Sequence, residues 1–325
     1  MKLNHPVFLK TDKQSLGYLS KSWLIKQRTS GLKIQTLDTR LKWIKLFLIW
    51  CEERGLSQAP EITRPVLEQY QAYLASAPLA KEGLKLKPLS QLNRINGVRI
   101  FFKWLSKNRV LMYNPAADLE LPRQPRLKLR DILTVAEVES VLAAPNLKRA
   151  YGIRDRAIME TFYSTGIRKT ELSFLKLEEV DFESGTLKVS EGKGGKQRLV
   201  PIGNRAMAWI NKYSKEVRSK HASPAEYLFL TRSGSQIKNP TEIVWKHMTK
   251  AGIKKEGACH LFRHSMATLM LKNGADIRVV QEILGHSQIK TTQRYTHLCI
   301  DHLKLIHSKT HPARYPGKDE EQRAE

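Results

Sequence analysis

Two histidines and an arginine, His260, Arg263 and His264, lie close together in a stretch with helical spacing that ends at Asn273–Gly274. Residues three apart share a helix face, so His260 and Arg263 can act on the same group. Two histidines four apart are also a zinc-binding pattern. Zinc peptidases, however, carry a glutamate beside the first histidine, and this chain has Leu261 there. We therefore expect no metal at this pair.

A second group of candidates lies earlier in the chain. Arg168 is near the predicted start of a helix, with Glu171 three residues on, a spacing at which the two side chains could simply form an ion pair. Lys193 lies in a glycine-rich turn, residues 192–196, between two predicted strands. This turn lacks the glycine and lysine spacing of a phosphate-binding loop and does not lead into a helix, so it does not indicate ATP binding.

The last two candidates follow a predicted helix that runs from Asp276 to Gly285. His286 comes directly after the terminal glycine, where a role in ending the helix is the simpler explanation. Tyr295 lies nine residues beyond His286, and a single tyrosine in such a segment usually packs. Each position alone is weak evidence for a catalytic role. The order and spacing of the whole set are much more specific.

Taken together, these positions resemble the tyrosine recombinases, also called phage integrases, and are most similar to the Xer and integron-integrase branch. The resemblance covers about residues 16–305 and rests on TGIRKTEL, EGKGGKQRLVPI, HLFRHSMAT, LGHSQIKTTQRYTH and the NPA at 114–116. It implies a catalytic set of Arg168, Lys193, His260, Arg263, His286 and Tyr295. The chain departs from the family pattern at Lys169, Thr170 and Arg294, and none of these changes removes a catalytic group.

The resemblance also implies a role for each residue. Tyr295 would attack a DNA phosphate and form a phosphotyrosine, which keeps the ester bond for rejoining without ATP. Arg168 and Arg263 would hold the phosphoryl oxygens, because guanidinium groups bind them bidentately and stay ionised.

Proton transfer and orientation fall to the remaining residues of the set. His286 would donate a hydrogen bond to the same phosphate, and Lys193 would protonate the departing 5′ hydroxyl. His260 would manage the proton of the tyrosine, and Glu171 would orient Arg168. No metal, nucleotide or other cofactor is implied.

Hydrophobic spacing predicts helices from Leu16 to about Ala117. Their buried faces are predicted to carry Leu37, Leu41, Ile44, Leu48 and Cys51 in one helix, Leu67, Tyr70 and Leu74 after an N-cap at Thr63, and Leu89, Leu92, Ile95, Val98, Phe102 and Leu105 in another. Residues 1–15 show no clear period and are expected to be mobile.

A basic, proline-containing stretch separates this helical part from a second domain. Thr134 and Glu137 have the spacing of a capping box that opens a new helix. Residues 180–182 and 186–190 predict a hairpin, and 197–202 predict a third strand.

The predicted fold class is mainly α with a small antiparallel sheet (α+β), an N-terminal helical bundle followed by a tyrosine-recombinase catalytic domain. The predicted boundaries are 16–118 for a helical, SAM-like DNA-binding domain, 119–132 for a basic linker, 133–310 for the catalytic domain and 311–325 for a flexible tail.

Charge points to a polyanionic partner. The 325 residues include 56 Lys and Arg against 31 Asp and Glu, a formal net charge of +25. The three cysteines are far apart and predict no disulfide framework. With no apolar leader at the N-terminus, we expect a cytoplasmic protein without a membrane partner.

The sequence thus predicts a site-specific recombinase that cuts and rejoins double-stranded DNA at paired inverted half-sites. We expect it to assemble as a tetramer or with a homologous recombinase. The alternatives are a relative with the same chemistry but another outcome, such as a relaxing topoisomerase or a hairpin-forming resolvase, and an inactive DNA-binding architectural or regulatory factor. The intact catalytic set argues against the inactive factor.

Overall fold

The chain divides into two compact units, Met1–Leu127 and Lys128–Glu325. The structure is a computed structural model that describes residues 3–76, 85–121, 131–190, 197–220 and 226–285. Across these ranges, none of the helices is long and apolar enough to cross a membrane.

The first unit is a bundle of helices around an aromatic core. Its helices are α1 (Leu16–Thr29), α2 (Ile34–Glu52), α3 (Arg64–Ser76) and α4 (Pro88–Lys107), with short 3₁₀ turns at Pro6–Phe8 and Ala59–Glu61. Fully buried Trp23, Phe47, Tyr70, Phe101 and Phe102 fill its centre. Large rings supply much of the apolar area that holds such a small bundle together.

Helical periodicity predicted most of this core correctly. In α2, Leu37, Ile44, Leu48 and Cys51 are buried, as the spacing predicts. Leu89 is an error: it is 55% exposed, because it lies in the first turn of α4, beyond the packed part of the helix.

The N-terminal residues also differ from expectation. Residues 6–8 form a 3₁₀ turn whose Val7 and Phe8 are buried in the core of the first unit.

The second unit is mainly helical with one small sheet. Its elements are α5 (Val135–Ala143), α6 (Ala150–Thr165), α7 (Lys169–Phe174), β1 (Val180–Asp181), β2 (Thr186–Val189), β3 (Arg198–Pro201), α8 (Asn204–Glu216), α9 (Thr241–Lys250), α10 (Ala258–Lys272) and α11 (Ile277–Leu284), with 3₁₀ turns at Leu177–Glu179 and Arg218–Lys220. The predicted capping box opens α5: Thr134 Oγ1 accepts from Glu137 N at 3.2 Å, and Glu137 Oε2 accepts from Thr134 N at 2.7 Å. The many helices and the one small sheet confirm the predicted fold class, mainly α with a small antiparallel sheet.

Helix α6 forms the centre of this unit, and it packs against α8 and α10. It buries Ala157, Ile158 and Phe162 and also two carboxylates, each paired with arginine. Asp155 bonds Arg154 and His247, and Glu160 bonds Arg156. Pairing offsets the cost of removing these charges from water.

The sheet is antiparallel in the order β1-β2-β3. Leu187 of β2 lies opposite Val180 of β1 and Val200 of β3, and all three side chains are buried. Side chains alternate between the two faces of a strand, so Arg198, two residues before Val200, lies on the core-facing side. The sheet therefore directs one arginine toward the interior of the unit.

Candidate active site

Arg168 lies where α6 meets α7, at the N-cap position of α7. Helix α6 ends at Gly166, which has a left-handed conformation with φ 59° and ψ 22°. Because L side chains rarely adopt this positive φ, the turn favours glycine. The turn places Arg168 directly after the buried end of α6, with 23% of its side chain exposed.

Glu171 links Arg168 to a second arginine. The Glu171 side chain is 1% exposed; its Oε2 accepts from Arg168 N at 2.7 Å and its Oε1 accepts from Arg168 Nη1 at 2.7 Å. From β3, Arg198 donates Nη1 to Oε1 at 3.0 Å and Nη2 to Oε2 at 2.9 Å. One buried carboxylate thus fixes two guanidinium groups.

Glu171 is ionised in this setting. Burial alone would raise the pKa of its carboxyl, because a charge is poorly solvated inside a protein. Hydrogen bonds from Arg198 and from the Arg168 backbone, together with the charge of Arg198, outweigh burial and lower the pKa to about 2. At neutral pH the carboxylate therefore offsets part of the positive charge around it.

Helix α10 carries the predicted pair His260 and Arg263. The chain enters it through Gly257 and Ala258 at φ 121° and 40°, and left-handed backbone costs a residue such as Ala258 about 1–2 kcal/mol. His260 is exposed in the first turn, whereas Arg263, one turn later, is buried. Arg263 donates Nη1 to the carbonyl of Gly166, on the turn before Arg168. The two predicted arginines therefore lie in one site.

Three arginines converge on the carboxyl end of α11. Arg198 Nε donates to the Ile283 carbonyl at 3.2 Å, Arg263 Nη2 to that of Leu284 at 2.7 Å, and Arg168 Nη2 to that of Gly285 at 3.0 Å. The last carbonyls of a helix have no partner within it and carry partial negative charge, so cations are favourable there.

The remaining predicted residues, Lys193, His286 and Tyr295, lie outside the described residues. The structure describes the positions that flank two of them. Strands β2 and β3 flank in sequence the segment that contains Lys193, and Gly285 directly precedes His286. The predicted helix ending at Gly285 is confirmed, with Gly285 as a left-handed C-cap at φ 61° and ψ 49°.

Arg198 is a component of the site that the sequence reasoning missed. The sequence of residues 197–202 predicts only a strand. A detectable signal was present, because Arg198 shares its side of β3 with the buried Val200. A charged residue on the inward side of a strand requires a buried partner.

The second unit matches the model of the phage integrase family over residues 131–302, more than half of the chain. The chain therefore belongs to the phage integrase family, whose enzymes break and rejoin DNA.

Curated relatives place it more closely. It is 44% identical to tyrosine recombinase XerC 2 of Ralstonia nicotianae over 294 residues, which span 89% of this chain and 84% of that protein. It is 35% identical to tyrosine recombinase XerD of Pseudomonas putida over 91% of this chain and 96% of that protein. The chain is a site-specific tyrosine recombinase of the Xer branch, as the motifs predict, and the inactive alternative is not favoured.

Solved structures agree on the fold. The XerH site-specific recombinase in a post-cleavage complex with its palindromic difH substrate matches with a TM-score of 0.71 at 22% identity. The match covers 90% of this chain and 84% of the XerH chain.

Proposed function

We propose that this recombinase cleaves each DNA strand by attack of Tyr295 on a phosphodiester, which leaves a 3′-phosphotyrosine and a free 5′ hydroxyl. The observation that carries the proposal is the convergence of Arg168 and Arg263 on the consecutive carbonyls of Leu284 and Gly285. Two guanidinium groups held side by side next to residue 286 can bind the non-bridging oxygens of one phosphate.

The proposed steps balance in bonds and protons. The Tyr295 oxygen forms a bond to phosphorus while the bond from phosphorus to the 5′ oxygen breaks, and the ester is conserved. Lys193 donates a proton to the departing oxygen, and His260 accepts the tyrosine proton. The exposure of His260 in the first turn of α10 supports its role, because the proton acceptor must reach a group arriving with DNA.

The charge of the cluster suits this reaction. Three arginines and one glutamate leave an excess of positive charge beside α11. Negative charge on the phosphoryl oxygens grows as the phosphate passes through its transition state. Donors fixed in advance by protein partners stabilise that charge without having to reorganise.

We further propose that the partner is double-stranded DNA with paired inverted half-sites, bound by a tetramer of this chain or with a homologous recombinase. The net charge of +25 supports a nucleic-acid partner. Among similar structures, XerH is bound to a palindromic substrate, and a lambda integrase tetramer is bound to a Holliday junction.

A suicide substrate tests the chemistry. A nick near the cleavage point releases a short fragment and removes the hydroxyl needed for the reverse attack, so the protein stays attached to the labelled strand. The adduct should form in excess EDTA and map to Tyr295 by peptide analysis. Tyr295→Phe should bind DNA and form no adduct. An adduct that persists in this variant, or one that needs added metal, would overturn the mechanism.

Arginine variants test the site in the same assay. Arg168→Ala and Arg263→Ala should reduce adduct formation far more than binding, because each side chain meets one phosphate among many. Lysine at either position should also fail, since it cannot supply the two-pronged contact. Equal losses of binding and cleavage would reject the roles assigned to these arginines.

A further inference from the structure

The proposed function assigns no role to Arg198, although this residue is central to the arginine cluster. Its side chain is 14% exposed and forms a two-point ion pair with Glu171, at 3.0 and 2.9 Å. Its remaining nitrogen, Nε, donates to the carbonyl of Ile283 at 3.2 Å. All three nitrogens of the guanidinium group are therefore directed at protein groups.

Arg198 also packs directly against the backbone that leads to residue 286. A Cβ added at Gly285 would lie 2.8 Å from Arg198 Nε and 2.9 Å from its Cδ and Cζ, closer than real Cβ contacts come. The guanidinium group and the end of α11 therefore fit together with no room for a methyl group.

These contacts join three elements that border proposed catalytic residues in the chain. Through Glu171, Arg198 reaches the start of α7 and Arg168. Through Ile283, it reaches the end of α11, which leads into His286. Its own position in β3 is five residues after Lys193 in the chain.

We propose that Arg198 is a positioning residue for DNA cleavage. It would align Arg168 with the end of α11 and with strand β3, which follows Lys193 in the chain. This inference rests on the proposed function, because the cleavage reaction is what requires that alignment. Arg198 would act through its neighbours and touch neither the phosphate nor the tyrosine. Errors of about 1 Å in the placement of reacting groups can slow a reaction about 100-fold.

The test is the rate of adduct formation by the full-length protein on the suicide substrate, measured with protein in excess over DNA. Arg198→Gln should slow adduct formation by about 30- to 100-fold. The dissociation constant for a single half-site should change by less than about threefold, since Arg198 meets no phosphate. Arg198→Lys keeps the charge but not the three-point contact, so it should restore part of the rate.

Arg156 offers a closely matched control. It is 13% exposed, its Nε and Nη2 bond the buried Glu160 at 2.9 and 2.7 Å, and its Nη1 bonds the Leu142 carbonyl near the end of α5. Like Arg198, it binds a buried glutamate and a helix carbonyl, but its glutamate lies on its own helix α6 and its carbonyl on α5, away from α7 and α11. Arg156→Gln should lower thermal stability and leave the adduct rate within about twofold of the original protein once both are folded.

The pH profile separates positioning from general stability. Without Arg198, the buried Glu171 loses its two-point partner, so the pKa of its carboxyl rises from the depressed value. As pH falls, Arg198→Gln should therefore lose cleavage activity at a higher pH than the original protein. Arg198→Lys and Arg156→Gln should keep the original acid limb.

The outcomes distinguish this inference from the proposed function. If the original protein forms no adduct, the proposed function fails. If it forms the adduct and Arg198→Gln does so at the same rate, or is slowed no more than Arg156→Gln, only the role of Arg198 is rejected. A slowed, acid-sensitive Arg198→Gln with normal half-site binding supports the role.

Discussion

At the scale of single residues, orientation in advance of DNA is the main property of the site. Arg168 and Arg263 each donate to a carbonyl of α11, and Arg168 also bonds a buried carboxylate. These partners hold each guanidinium plane in a fixed direction. A side chain held in this way loses little further freedom when a phosphate binds, so more of its interaction energy is available for the transition state.

The depressed pKa of Glu171 predicts a pH-dependent contribution to stability. Its carboxyl has a pKa of about 2 in the folded protein, well below its ordinary value of 4.5. The stabilisation is therefore complete above about pH 4.5 and is lost as pH falls toward 2. A pKa shift of this size contributes on the order of 3 kcal/mol to the free energy of unfolding at neutral pH.

Urea unfolding of Glu171→Gln at several pH values checks this. The variant should be less stable than the original protein at pH 7, and the two unfolding free energies should converge as the pH is lowered. Glu178→Gln is the control, because the Glu178 side chain is 79% exposed and its nearest lysine partner lies at 3.8 Å. Curves that stay parallel for Glu171→Gln across the acid range would contradict the assigned pKa.

The sequence predicted some residues of the site better than others, for physical reasons. Arg168, Glu171 and Arg263 lie in local segments whose spacing sets their helix positions, and the structure brings them together. Arg198 owes its role to a contact with α11, more than 80 residues away in the chain. Local periodicity contains no information on that pairing. The position of Arg198 on the same side of β3 as Val200 indicates only that it needs a buried partner.

At the scale of secondary-structure elements, α11 is as much a part of the site as the arginines. Its last carbonyls accept from guanidinium groups on α7, β3 and α10. The partial negative charge at a helix C-terminus favours cations by about 0.3–1 kcal/mol each at exposed sites, and more when partly buried. Helix α11 thus draws three separate elements together at the residue before His286.

Two glycines test how tightly this helix end is packed. Gly285 and Gly252 both have left-handed backbones, at φ 61° and 73°. An added methyl would meet nothing within 4 Å at Gly252, whereas at Gly285 it would press into Arg198. Alanine at either position carries a backbone cost of about 1–2 kcal/mol, and only Gly285→Ala adds overpacking of about 1–3 kcal/mol.

Gly285→Ala should therefore unfold at lower urea concentration than Gly252→Ala and should form the DNA adduct more slowly. Gly252→Ala should cleave at the original rate. Equal unfolding midpoints for the two variants would show that the contact between Arg198 and Gly285 relaxes without cost.

Elements with strong periodicity or clear end signals were predicted well. The buried face of α2, the capping box of α5, the three strands and the glycine that ends α11 all occur as expected. The turn at residues 6–8 was missed, because three residues are too few to show a period. Its burial depends on the surrounding helices, which local sequence does not describe.

At the scale of the whole molecule, positive charge occurs in both units. Residues 1–127 contain 22 basic and nine acidic residues, and residues 128–325 contain 34 and 22. Each unit has its own hydrophobic core. The division at Leu127 and Lys128 falls within the stretch 119–132, which was predicted as a linker. Two independently packed, basic units suit a protein that contacts DNA through both.

We therefore expect each unit to bind duplex DNA by itself, weakly, and the intact chain to bind much more tightly. Fragments 1–127 and 128–325, checked for folding by circular dichroism, should each retard duplex DNA in gels at low salt. Added salt should release them, because counterion release supplies most of their affinity. Joining the two makes the second contact intramolecular, so the intact chain should bind about 100- to 10,000-fold more tightly than either fragment. If a folded 1–127 fragment shows no affinity even at low salt, the first unit does not contribute a DNA surface, and binding must come from the second unit alone.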